Sequence, residues 1–455
     1  MSNSRIKAAL AAGIGAAFLT GSVFAAVTAE QAARLGKDLT AMGAIQAGNA
    51  EGTIPAWEGG ITTPPAGYKA GQFHPDPFAS DRPVFSITPD NYREHADKLT
   101  VGQQGMFAKY PTFRMDVYPT RRSAAYPERT YEYTIRNATT AKLTEDENGV
   151  LDAAEGIPFP IPQSGAEVIW NHKLKYKGVS AARWTNLAPV TANGRYNLVK
   201  IREEFMGLYY KPGNTIADIN NVLLYFYQSV EAPARLAGQV LLVHETLNQD
   251  VQPRKAWVYN PGQRRVRLAP NVAYDNPGTA ADGLRTSDMT DMFNGSLDRY
   301  DFKLVGRQEM YVPYNSYKAD SGDSQVSDMI KPGHIDPDYL RYELHRVWVV
   351  DATLKPGKRH INPRRTFYVD EDSWQILIAD HYDSDGNLWR YSEAPSISYY
   401  EMPLFWSTLE THHDLKNGRY LATGLDNAEG KTIDYRIQFT ADQFSPQNLR
   451  NRGVR

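Results

Sequence analysis

After about Gly165 the chain is a succession of short β-branched and aromatic runs punctuated by turn residues, and no other feature limits its fold as much. The runs are 197–210, 222–230, 239–247, 256–259 and 264–268, then 300–305, 340–351, 365–369, 374–382, 388–391, 397–406 and 433–439. Pro212-Gly213, Pro261-Gly262 and Asp383-Ser384-Asp385-Gly386-Asn387 mark turns between them. Strands do not alternate with helical patterns, which argues against a parallel α/β sheet and for a large antiparallel one. Several runs are apolar on both faces: 222–227 throughout, and 344–351 with Leu344, Trp348 and Val350 opposite Val347 and Val349. A sheet of that kind has to be covered on both sides, by helices, by an arm or by a ligand. The 28 tyrosines, against 16 Phe and 8 Trp, suit strands with one wet and one greasy side.

The N-terminal part reads differently. Arg5 and Lys7 precede an apolar stretch, residues 8–24, and Val23-Phe24-Ala25 supplies a small-residue cleavage pattern. These are the parts of an export signal cut after Ala25. With 0 Cys there is no residue for a lipoprotein anchor, so a soluble, unanchored periplasmic protein is expected. Thr28 with Gln31 forms a capping box for a helix whose face is Leu35, Leu39 and Met42 and whose end is Gly43. Residues 48–83 are dominated by Gly and Pro and read as an extended arm. Thr88-Pro89 and Thr100 with Gln103 mark two further helix starts. The expected organisation is therefore a signal at 1–25, helices and arm over 26–164, and a β domain over 165–455.

Composition closes off several functions. Lys+Arg 50 against Asp+Glu 52 gives a net charge of -2, which does not suit nucleic acid as a partner. The absence of Cys removes thiolate metal sites and Cys nucleophiles. There is no phosphate loop, no His-Glu-x-x-His and no Gly-x-Ser-x-Gly, so neither catalysis nor a cofactor is expected. Residues 144–155 follow EF-hand spacing, but Thr144 stands where the first carboxylate belongs, and calcium binding is not expected. His412-His413-Asp414 and Asp370-Glu371-Asp372 read as solvated turns rather than metal or catalytic sets, and no metal site is assigned.

Two connections, 270–298 and 310–339, are about thirty residues each, far longer than a hairpin needs. In the first, Met289, Met292 and Phe293 form an apolar cluster bounded by Asp288, Asp291 and Asn294. They are lid candidates over a greasy opening, with packing on the sheet edge as the alternative. Cavity candidates come from the aromatic strands: Tyr225, Tyr227, Trp257, Trp348 and Trp374.

The chain resembles the DUF1329 family of exported bacterial proteins. The resemblance is carried by Gly48-Asn49-Ala50-Glu51-Gly52-Thr53-Ile54-Pro55-Ala56-Trp57, Val117-Tyr118-Pro119-Thr120-Arg121-Arg122-Ser123, Trp170-Asn171-His172 and Tyr342-Glu343-Leu344-His345-Arg346-Val347-Trp348. It implies a fold similar to the lipoprotein carrier LolA, the receptor LolB and the sensor RseB. That fold is mainly β with accessory helices, a large antiparallel half-barrel covered here by helices and the N-terminal arm. It further implies a carrier or chaperone for a lipid or other hydrophobic molecule, working with an inner-membrane exporter and an outer-membrane partner. A ligand-free adaptor subunit of an export complex is the alternative, with an envelope hydrolase behind it.

Overall fold

The computed structural model describes residues 27–453, so the export signal and cleavage site expected at 1–25 lie outside the described residues. Most of its strands join one fifteen-stranded sheet. β1 (Phe85–Ile87) and β2 (Met115–Val117) form a small pair set against the start of β10. A first meander follows: β3 (Ser180–Val190), β4 (Val199–Gly207), β5 (Val222–Ala232), β6 (Val240–Thr246), β7 (Lys255–Asn260) and β8 (Arg265–Leu268). The second comprises β9 (Tyr300–Pro313), β10 (Tyr342–Leu354), β11 (Arg364–Asp370), β12 (Ile376–Tyr382), β13 (Leu388–Glu393), β14 (Glu410–Asp414) and β15 (Tyr420–Thr423).

Within each meander every strand pairs antiparallel with its neighbour in sequence, and the last strand, β15, pairs with the first, β3. This welds the two meanders side by side and leaves β8 and β9 at opposite ends of the row, so the sheet does not close into a barrel. The length of 270–298 now has a cause. It links two strands that follow one another in sequence but sit at opposite edges, so it must cross over the sheet.

Helices cover both faces. α1 (Val101–Lys109) starts with the expected capping box, Gln103 N donating to Thr100 Oγ1 (3.1 Å) and Thr100 N to Gln103 Oε1 (2.9 Å). α2 (Glu128–Thr140) and α3 (Gly165–Leu174) were not anticipated. All ten residues of α3 are buried, so it lacks the polar face that reveals a surface helix in sequence. It lies so close to β9 that a Cβ on Gly165 would meet the Phe302 carbonyl oxygen at 2.5 Å, which explains the glycine. α4 (Pro446–Gly453), with Phe444 and Leu449, packs on the outer face of β5–β7.

Several expectations need correcting. The Thr28–Gln31 capping box forms, but its helix is a single turn, Ala29–Ala32, because Gly36 at φ 77° turns the chain; Leu35, Leu39 and Met42 are buried nonetheless. Thr88-Pro89 leads into a tight 3-10 segment, Tyr92–Lys98, rather than an α-helix. β3, β14 and β15 were missed as strands, 433–439 forms none, and 397–406 makes a separate hairpin, Ser396–Tyr399 with Leu404–Ser407. Most of 310–339 is packed: β9 runs on to Pro313, and Tyr314, Tyr317 and Met329 are buried. The N-terminal region and the β region share one core, in which Met42, Tyr126 and Ile157 lie with Phe367 and Ile376 and against which Ile61, Tyr68 and Phe78 of the arm pack.

The two acidic or histidine-rich "turns" are not solvated. Asp370-Glu371-Asp372 is buried and fastens the arm: Arg122 donates to both Asp372 oxygens (2.9 and 2.6 Å) and to Ile45 O (2.9 Å), while Arg346 reaches Glu371 (3.2 Å) and Ala47 O (3.1 Å). His345, Asp370 and Asp372 offer ligand atoms within 4.8 Å of one another, but those of Asp372 are already held by Arg122. His412 and His413 lie on buried β14 and face opposite sides, towards Ser392 (2.9 Å) and Gly333 O (3.1 Å). In the EF-hand-like stretch the Glu155 carboxylate is taken by Arg129.

Candidate functional site

A cavity of about 440 Å³ lies between β4–β7 and the crossing segment 270–298. Strand parity builds its floor. Ile201, Glu203 and Phe205 of β4, Leu224, Phe226 and Gln228 of β5, and Leu241, Val243 and Glu245 of β6 all point into it. The register sets Phe205 opposite Phe226 and Phe226 opposite Val243, so an apolar row crosses three strands. Polar groups flank the row on both sides: Glu203 with Gln228 (2.7 Å) along the strands in one direction and Glu245, opposite Leu224, in the other. The roof is the crossing segment, through Val272, Arg285, Thr290, Asp291 and Asn294. Trp406 and the chain leaving α3 complete the wall.

Six cationic side chains line this space against four carboxylates, although the whole protein is at -2. Most are matched. Arg183 Nε donates to Glu203 (2.5 Å), and Arg254 pairs with Glu245 (2.6 Å). Lys175 and Lys177 both donate to Asp291 Oδ2 (2.6 and 3.0 Å), while Trp406 Nε1 donates to its Oδ1 (2.9 Å). Burial alone would raise the Asp291 carboxyl, but the two lysines hold it far below the usual carboxylate range. Lys173 donates to Gly295 O (2.8 Å) and sits over the Trp170 ring (4.2 Å); burial pushes it down to about 7.

None of the five aromatic cavity candidates lines this cavity. Tyr225 and Tyr227 alternate with Leu224 and Phe226 and therefore face away, onto Phe444 and Arg452. Trp257 shares that outer face and packs on His244 (4.7 Å), while its neighbour Val258 faces in. Trp348 and Trp374 stack at 6.3 Å beneath the arm, where Trp374 Nε1 donates to Met42 O (3.0 Å). The segment 270–298 does roof the cavity, but not through the lid candidates. Met289, Met292 and Phe293 are buried, and Phe293 packs on Phe302 and Phe367 in the core. The polar lining was missed altogether. Its trace in the sequence is the alternation Lys173, Lys175, Lys177, and a single charge among apolar residues of one parity, as in Ile201, Glu203, Phe205 and Leu241, Val243, Glu245.

The chain is 51% identical over 442 residues to the uncharacterized protein PA3922 of Pseudomonas aeruginosa, covering 96% of both. A solved DUF1329 family protein from Desulfovibrio piger aligns over 63% of this chain and 97% of that one, at 14% identity and a TM-score of 0.44. A LolA superfamily protein, NE2245 of Nitrosomonas europaea, aligns over 62% of this chain and 98% of that one, at 12% identity and a TM-score of 0.38. The family model described as "Protein of unknown function (DUF1329)" matches residues 86–450, and the chain belongs to that family.

Proposed function

We propose that the protein is a non-catalytic carrier or chaperone of the periplasm that holds the apolar part of a lipid or similar molecule in the cavity between β4–β7 and segment 270–298. An envelope export system with inner- and outer-membrane components would deliver or receive that cargo. The observation that carries this reading is the cross-strand row Phe205, Phe226 and Val243 facing an interior space of about 440 Å³. Ligand cavities span roughly 300–1,000 Å³. Each methylene brought out of water onto such a row contributes about 0.8 kcal/mol, so an alkyl chain supplies affinity without directed polar contacts.

The test is direct. Protein released from the periplasm by osmotic shock is extracted with organic solvent and the extract analysed by mass spectrometry, and delipidated protein is titrated with a fluorescent fatty-acid analogue. A stoichiometric amphiphile, or saturable binding of the analogue displaced by unlabelled fatty acid, is expected. An empty extract together with no binding would overturn the carrier reading and leave a ligand-free adaptor of an export complex in its place.

A further inference from the structure

Resting on the carrier reading, we infer that the ligand is an amphiphile with an anionic head, a carboxylate or a phosphate monoester, and that Arg285 receives that head. Arg285 belongs to the crossing segment, lines the cavity and is only 7% exposed. Its Nε is buried without a hydrogen-bond partner, and its guanidinium forms no ion pair among the described residues. Glu410 and Glu203 act on it only from a distance. The other guanidinium groups of the cavity, on Arg183 and Arg254, are each bound to a carboxylate.

A buried guanidinium keeps its charge and has five donors in a planar fork. Leaving such a group unpaired in an apolar setting is costly, and a planar or tetrahedral oxyanion is the partner that satisfies two donors at once. The cavity has the charge to accept one. With Glu203, Glu245 and Asp291 engaged, the cavity cations without a carboxylate partner among the described residues are Arg285 and Lys173, against Glu410, whose Oε2 lies 3.7 Å from His412 Nε2 and which pairs with no Lys or Arg. Glu410 Oε2 is itself buried without a hydrogen-bond partner, and Oε1 accepts from Ser407 Oγ (3.1 Å). The head region thus offers an anion acceptor at Arg285 beside an unfilled hydrogen-bond acceptor. A phosphate monoester monoanion, with one protonated oxygen, fills both, and a carboxylate fills the first. The apolar row of Phe205, Phe226 and Val243 then takes the alkyl chain.

Titration calorimetry of the delipidated full chain with lauric acid, lauryl phosphate and lauryl alcohol separates head from tail. Both anions are expected to bind about tenfold or more tightly than the alcohol. Arg285→Met should remove that preference, bringing acid and alcohol to within about twofold of one another. Should this variant not fold, Glu410→Gln carries the test: removing the opposing carboxylate should raise the affinity for lauric acid relative to lauryl alcohol several-fold, and an unchanged ratio overturns the assignment. Equal binding of acid and alcohol by the wild type, or a preference that survives Arg285→Met, overturns the head-group assignment and leaves the carrier reading standing. Binding of none of the three overturns both. A preference for one anion over the other identifies the head as carboxylate or phosphate and supports the assignment either way.

Discussion

Phe226 and Tyr225 are neighbours in β5, yet a ligand can meet only the first. Phe226 lines the cavity, and the Tyr225 ring stacks on Phe444 at 5.7 Å on the far side of the sheet. Phe226→Gln should therefore weaken binding of a fluorescent fatty-acid analogue about tenfold or more, because a polar amide replaces apolar contact along the row. Tyr225→Phe should leave binding unchanged. A titration in which the two variants fall together would contradict the register. A second residue sets a pH response. His74, 3% exposed, bonds Glu401 (2.9 Å) and lies 3.5 Å from Asp320. Burial would lower its pKa, but the two carboxylates win and hold it at about 9. Since the folded value exceeds the unfolded 6.5, the imidazolium's contribution is complete below pH 6.5 and is lost as pH rises through 9. The gap corresponds to about 3 kcal/mol. In urea melts, wild type should lose more stability between pH 6.5 and 9 than His74→Gln, and parallel curves would show that His74 is not charged in the fold.

Among the elements, the crossing segment 270–298 owes its position to Asp291. Two consecutive non-glycine residues, Asp291 (φ 52°) and Met292 (φ 65°), occupy the left-handed region, which only strong surroundings maintain. The surroundings are the Lys175 and Lys177 ammonium groups on the Asp291 carboxylate, His172 Nε2 on its carbonyl (2.7 Å), and the core around Met292. Asn tolerates the same backbone, so Asp291→Asn isolates the charge. It should cost about 3–5 kcal/mol, the toll of leaving Lys175 buried without its partner, and should speed release of a bound probe. Phe293→Ala is expected to cost a similar 3–5 kcal/mol by opening the contact with Phe302 and Phe367, with affinity following only as the fold is lost. How far these elements could be read from sequence follows the same physics. Runs such as β5, β6 and β10 were legible because both faces are apolar, yet that same property hides which face a cavity uses. Parity alone cannot separate Phe226 from Tyr225 until the register and the covering helix are known. α3 was illegible because it is buried all round, and the Asp370-Glu371-Asp372 stretch was misread because its arginine partners lie far away in sequence, at Arg122, Arg307 and Arg346.

For the whole molecule, the decisive feature is that two meanders are joined edge to edge by β15 and β3, while the chain between β8 and β9 must span the sheet. The strands β10–β12 lie inside the row and are almost entirely buried, whereas the first part of the crossing segment, residues 272–283, is largely part-exposed and held by turns such as Gly278 N to Arg285 O (2.9 Å), the second part being anchored in the core. Regions of that kind open locally at a fraction of the global free energy. If the segment must lift for a ligand to enter, its open state cannot hold the ligand, and binding then protects the segment by mass action. At about a hundred times Kd the protection amounts to about 2.7 kcal/mol, roughly a hundredfold slowing of amide exchange. Hydrogen exchange with lauric acid should show that slowing at Gly278 and Ala281, while amides of β11 and β12 that exchange by global unfolding slow by no more than the same factor. Should residues 272–283 exchange at the same rate with and without a bound ligand, that stretch opens with the cavity still occupied. It would then be a fixed roof, and entry would have to run past the exposed edge strand β8 instead.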